Sequence, residues 1–111
     1  MKIYPTAGNY NEAARESFKS NPATAFSWFL SASYSYYCRY ESLLADEVFD
    51  KLCKYLLDNY DKLDHPNKSL VTKGMLEAGS GYNLKENDYP LRAKITAGEL
   101  IYNLNIWRNQ Q

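Results

Sequence analysis

SYSYYCRYESLLADEVFDKL, residues 33–52, is the stretch on which the fold turns. Four tyrosines (Tyr34, Tyr36, Tyr37 and Tyr40) crowd the end of one helical pattern, a short break follows, and Asp46 opens a second helix. Tyrosine is a mediocre helix former, and each phenol needs both an apolar bed and a hydrogen-bond partner. The rings therefore fill a core or form the wall of a surface that holds something flat.

Upstream, Asn21-Pro22 is a start signal, with Asn as cap and Pro at the first helical position, and it predicts a helix over about 22–40. Phe26, Phe29, Leu30, Tyr36, Tyr37 and Tyr40 recur at helical spacing, while Ser31, Ser33 and Ser35 are small positions that let a neighbour approach. Downstream of the break at 41–45, Asp46, Glu47 and Asp50 suit the positive end of a helix dipole. Phe49, Leu52, Cys53, Leu56, Tyr60 and Leu63 form an inward stripe, which predicts a helix over about 46–63. DHPNK at 64–68 ends it, since Pro66 forbids continuation and disfavours helix at His65. Two helices with so short a join make an antiparallel hairpin.

Residues 1–20 read as an arm, extended as far as Gly8 and then weakly helical from Asn9 or Asn11. SLVTKGMLEAG, residues 69–79, supports a short helix from about Thr72 with Gly79 as its stop. SGYNLKENDYP is a loop in which YNL is a candidate brief strand. Pro90 starts a last helix, about 90–108, in which Leu91, Ile95, Leu100, Ile101, Leu104 and Trp107 are available to close the core. Gly98 weakens it by about 1 kcal/mol relative to Ala, which points to close packing against the hairpin there. The expectation is one all-α domain over residues 1–111, a hairpin packed against a C-terminal helix with short extra helices.

A chain of 111 residues can bury a core without disulfides or metal. Thirteen basic residues balance thirteen acidic ones, which argues against coating phosphate backbones. Weak nucleic-acid association would use Lys51, Lys54, Lys62, Lys68, Lys73, Lys85, Arg92 and Lys94, although such charges are more often solvated helix faces. Cys38 and Cys53 belong to no CxxC pair and read as small apolar packers in a reducing compartment. With no signal-like N-terminus and no run of apolar residues long enough to span a bilayer, the expectation is a soluble, cytoplasmic protein away from the membrane. The 11 tyrosines, against 4 Phe and 2 Trp, favour recognition surfaces as well as core edges.

Groups for catalysis are few. His65 sits between Asp64 and Pro66 in a helix-ending turn, and one His with two separated Cys does not make a zinc site. AGSGY at 78–82 superficially resembles a glycine-rich phosphate loop but lacks the third glycine and the preceding strand, so it reads as a helix stop and a turn. Asp46 and Asp50, one helical turn apart, are either paired carboxylates or dipole compensation. The expectation is a protein that is not an enzyme and holds no metal.

Read across both helices, Tyr34-x-Tyr36-Tyr37, eight residues, then Asp46-x-x-Phe49-Asp50-x-Leu52 resembles the small N-terminal helical subdomain of bacterial NAD-dependent DNA ligases. The likeness covers about residues 26–63, within a hairpin spanning 22–63. In that family the subdomain grips the nicotinamide mononucleotide half of NAD with aromatic rings and nearby acids. Carried over, the resemblance implies Tyr36 and Phe49 as stacking rings, Asp46 and Asp50 as the acids, and Tyr37 at the place of a ligase histidine. Phe49 stands where the ligases usually have Tyr. The lysine-x-aspartate-glycine nucleophile motif is absent, so the chain by itself does not ligate DNA. LDNYDKLDHPNKSLV is also similar to small bacteriophage proteins that share a helix ending in an HPxK-type turn, which implies a viral accessory protein acting in the host cytoplasm.

Two functions follow as expectations. The first is a non-catalytic module that acts by contact with a partner protein, needing no cofactor. The alternative is nicotinamide-nucleotide binding, of NAD or nicotinamide mononucleotide, at Tyr36, Tyr37, Asp46, Phe49 and Asp50.

Overall fold

TAFSWFLSASYS, residues 24–35, is apolar or small on nearly every side, and such a helix is stable only when enclosed. The computed structural model describes residues 5–110; Met1 to Tyr4, the start of the expected arm, and Gln111 lie outside the described residues. Within them the chain is all-helical: α1 (Asn11–Ser20), α2 (Thr24–Cys38), α3 (Asp46–Asp58), α4 (Lys73–Ala78) and α5 (Leu91–Asn109), with 3-10 turns at Lys68–Leu70 and Glu86–Asp88. Residues 28–35 of α2 are buried without interruption. This central helix packs on α1, α3 and, most extensively, α5, while α4 packs on α3. Ser31, Ser33 and Ser35 are all buried, as small positions at a close approach should be. Ser31 Oγ donates to the Ala93 carbonyl of α5 across 3.4 Å.

Asn21 does cap: its Oδ1 accepts the Ala23 N–H at 3.2 Å, although α2 proper begins at Thr24. The far end comes two residues before the expected Tyr40. There the Arg39 and Glu41 N–H groups both donate to the Ser35 carbonyl. Tyr40 lies between them at φ 56°, a left-handed conformation that favours glycine. Tyr36, Tyr37 and Tyr40, predicted on the apolar stripe, are exposed.

Helix α3 likewise stops at Asp58 rather than 63, and Pro66 is not the cause. Asn59 still makes its helical bond to the Tyr55 carbonyl, at 3.1 Å, and adds a side-chain bond to it at 2.9 Å, but the next amide, Tyr60 N–H, turns to the Leu57 carbonyl, and the helix ends there. Tyr60 and Leu63 still pack on the core from the turn beyond.

The short α4 is bounded as its sequence predicts. Thr72 Oγ1 accepts the Met75 N–H at 3.2 Å, which satisfies one of the free amides of the first turn. Gly79 closes the helix at φ 68°, the left-handed stop that glycine adopts most readily. Residues 82–84 form a turn, not a strand. On α5 the core positions are Ala93, Ala97, Leu100, Ile101 and Leu104. Leu91 and Ile95, predicted inward, face solvent. Gly98 does not seat the helix on the core either; a Cβ there would meet only the Arg39 guanidinium, at 3.9 Å.

The described part of the arm packs on its own chain. Tyr10 is fully buried beside Trp28, its hydroxyl donating to the Leu100 carbonyl at 2.6 Å. Burial disfavours the phenolate and pushes its pKa up to about 12.

Candidate functional site

The segment 39–45 that joins α2 to α3 is held from three directions. Tyr10 N–H donates to the Leu43 carbonyl at 2.8 Å, and Asn11 Oδ1 accepts the Ala45 N–H at 2.9 Å, so the start of α1 fixes the inner side. Leu43 and Leu44 are buried beneath. From the end of α5, Arg108 donates to both Glu41 carboxylate oxygens, at 3.2 and 3.0 Å, a two-pronged charged pair. The Ala45 carbonyl then accepts the Val48 and Phe49 N–H groups and launches α3.

This fixed joint leaves an open cleft of about 370 Å³. Tyr36, Tyr37, Asp46, Phe49 and Asp50, the five residues singled out from sequence, all line it, together with Ser33, the 42–44 segment and Gly79. The Tyr36 and Tyr37 rings meet edge to face, centroids 5.1 Å apart at 86°. Tyr37 shares a hydrogen bond with the Ser80 hydroxyl, which ties the end of α2 to the turn after α4. The Phe49 and Phe29 rings stack with centroids 5.4 Å apart and planes 23° from parallel. One face of Phe49 is therefore committed to the core. The far wall stands close, since a Cβ on Gly79 would lie 3.6 Å from Asp50 Oδ1.

Two features give the cleft chemical character. Asp46 and Asp50 are exposed, have no ion-pair partner among the described residues, and share the cleft with no Lys, Arg or His. A site with carboxylates and aromatic walls but no basic residue attracts a flat cation and offers nothing to a phosphate. In addition, Ser33, which also lines the cleft, has a buried hydroxyl with no hydrogen-bond partner. The turn at Gly81 closes over it: a Cβ on Gly81 would fall 2.8 Å from Ser33 Oγ.

No family model, curated protein or solved structure matches the chain. The ligase likeness therefore rests on the residues quoted for it.

A second cavity, of about 460 Å³, lies between α2, α5 and the 65–67 turn, and sequence reasoning missed it. His65 Nε2 is 3.0 Å from Ser27 Oγ there, a spacing that suggests a nucleophile and its base. The proton is on the wrong side. His65 Nδ1 accepts the Asn67 N–H at 3.0 Å, so the neutral ring carries its hydrogen on Nε2 and donates to Ser27 instead of accepting from it. Burial holds the His65 pKa below the ordinary histidine value, with the Asp64 charge working against that. The two residues are 38 apart, and no local pattern announces the pair.

Cys38 and Cys53 are both unbridged. Burial, then the Asp50 charge, pushes the Cys53 thiol up to about 12. Burial, then Glu86, raises Cys38 against the opposing effect of Lys94. Neither is activated as a nucleophile, which would need a lowered pKa. Among the described residues no group of three or more His, Cys, Asp or Glu is placed to hold a metal, and no helix is long and apolar enough to cross a membrane. Of the basic residues named for nucleic acid, Lys68 and Lys73 are engaged within the chain, over the Tyr60 ring at 4.8 and 5.4 Å, and Lys73 also pairs with Asp61 at 3.4 Å. Arg92 lines the second cavity.

Proposed function

We propose that this chain is a small non-catalytic binding module whose joint cleft takes a flat, cationic aromatic ring, the nicotinamide half of NAD being the candidate named by the ligase resemblance. One observation carries the reading: aromatic side chains and two unpaired carboxylates line a single open cleft that no basic residue enters. Its volume is at the small end of ligand pockets, roughly 300–1,000 Å³, which suits one ring with its sugar rather than a whole dinucleotide. The positive charge of the N-substituted pyridinium is then the recognised feature. Phosphate adds nothing, because Tyr37 stands where the resemblance has a histidine.

Calorimetry on the full chain with 1-methylnicotinamide, nicotinamide mononucleotide and uncharged nicotinamide tests this. The cation binds, the uncharged ring binds at least about tenfold more weakly, and the pair Asp46→Asn and Asp50→Asn costs the cation a similar factor, about 1.4 kcal/mol. No heat from any of the three at millimolar concentration, or equal binding of charged and uncharged rings, overturns it. A second reading, contact with a partner protein, is favoured by the exposed Leu91, Ile95, Tyr102 and Ile106 on α5, none of which lines the cleft.

A further inference from the structure

Helix α5 is apolar on two opposite sides. At about 3.6 residues per turn, Ala93, Ala97, Leu100, Ile101 and Leu104 share the face buried against the protein, and Leu91, Ile95, Tyr102 and Ile106 share the face turned away from it. The second set is 72, 54, 66 and 42% exposed. It makes a stripe about 22 Å long, at roughly 1.5 Å per residue, interrupted at its middle by Gly98 and Glu99. A solvated helix face is normally polar, so an outward stripe of large apolar side chains marks a contact surface.

The order of the stripe identifies what covers it. Its intervals are four, seven and four residues, the same read from either end, and Gly98 and Glu99 stand at the midpoint. Two copies of α5 laid antiparallel about a two-fold axis at that midpoint put Leu91 level with Ile106 of the other copy, and Ile95 level with Tyr102, each contact occurring twice. The stripe therefore satisfies the self-complementarity that a two-fold contact demands.

Charge agrees with the register. Arg39 reaches from the end of α2 to lie beside Gly98, its Nη1 3.9 Å from where a Cβ would be. In the antiparallel pair Glu99 of one copy is level with Gly98 of the other, and hence with that copy's Arg39. Neither Arg39 nor Glu99 has an ion-pair partner among the described residues, so both are available for an exchange made twice across the axis.

We infer that the outer face of α5 is a homodimer interface, formed by a second copy of this chain packed antiparallel about Gly98 and Glu99. One helix stripe buries less than a standard interface, so the association is weak and concentration-dependent. No α5 residue lines the joint cleft, so dimerisation and ligand binding stand or fall separately.

Sedimentation velocity on the full chain, carried to several hundred micromolar, tests the inference. The mass doubles reversibly with concentration. Ile95→Glu leaves the helical circular dichroism and melting temperature near wild type while weakening association at least about tenfold, the factor of a loss of about 1.4 kcal/mol. Glu99→Arg and Arg39→Glu each weaken self-association, and mixing the two variants restores part of it. For register, Leu91→Cys mixed with Ile106→Cys forms an intermolecular disulfide under mild oxidation that Leu91→Cys alone does not, in a Cys38→Ser background. A chain that stays monomeric throughout, a dimer indifferent to Ile95→Glu, or Leu91→Cys linking to itself overturns the inference. The first leaves the face to a different protein, the second moves the interface elsewhere, and the third makes the helices parallel.

Discussion

Replacing Gly81 with alanine puts a methyl group where the structure has no room for one. The new Cβ would lie 2.8 Å from Ser33 Oγ, 3.1 Å from Ser33 Cβ and 3.7 Å from Phe29 Cε1. Neither Ser33 atom has room to give way, because the side chain is buried and α2 is locked between α1, α3 and α5. The turn after α4 has to lift instead. Overpacking of this kind costs about 1–3 kcal/mol, against which Gly→Ala recovers about 0.4–1 kcal/mol from the unfolded chain. The net is a destabilisation of about 1–2 kcal/mol, or a fall in melting temperature of about 4–8 °C for a chain of this size.

The control is Ser33→Ala. It removes a buried hydroxyl that has no partner, so by itself it is neutral or slightly stabilising. In a Gly81→Ala background it removes the closer of the two Ser33 contacts and restores about 0.5–1 kcal/mol, a coupling that a double-mutant cycle of urea melts resolves. A Gly81→Ala protein that melts with the wild type, or two substitutions whose effects simply add, would refute the close approach between this turn and α2.

Three further outcomes follow from the same geometry. Tyr40 is almost fully exposed and sits in the left-handed region, so it has few contacts to lose. Tyr40→Gly relieves the backbone strain and stabilises by about 1 kcal/mol in a thermal melt. Tyr10→Phe removes the hydrogen bond to the Leu100 carbonyl and costs about 1 kcal/mol in urea. The folded Tyr10 pKa of about 12 lies above its ordinary 10.0. Its contribution is therefore complete below the ordinary value and is lost as pH rises from there, a slope the phenylalanine variant lacks. His65 acts in the opposite direction, its folded pKa lying below the ordinary 6.5. The unfolded chain takes the proton first, so stability falls as pH drops through that ordinary value, whereas His65→Gln flattens the decline.

Punctuation made most of the fold legible. Asn21-Pro22, Asp46, Thr72 with Gly79, and Pro90 mark ends that the structure has within a residue or two, because each residue there acts on its own backbone. The stops of α2 and α3 were illegible for the same reason reversed: nothing in their local pattern says that Tyr40 will accept a left-handed conformation or that the Tyr60 N–H will turn to the Leu57 carbonyl. Helix α5 misled the reading of the core because apolar residues on two opposite faces cancel the periodicity that tells inside from outside. Leu91 and Ile95 have the same chemistry as Leu100 and Leu104, and only the tertiary packing separates them. Around the candidate site, the convergence of Tyr36, Tyr37, Asp46, Phe49 and Asp50 was legible because a short joint leaves two helix ends little choice but to meet. What holds that joint was not, since Tyr10, Asn11 and Arg108 reach it from the two ends of the chain.

The most direct measurement is a two-dimensional amide NMR titration of the full chain with 1-methylnicotinamide, run beside uncharged nicotinamide. The expected result is a set of saturable shifts confined to residues around Ser33, Tyr36, Tyr37, Asp46, Phe49, Asp50 and Gly79, and much larger for the charged ring. Shifts that cluster elsewhere, or none at millimolar ligand, would mean that the acidic aromatic cleft is only a feature of packing at the joint.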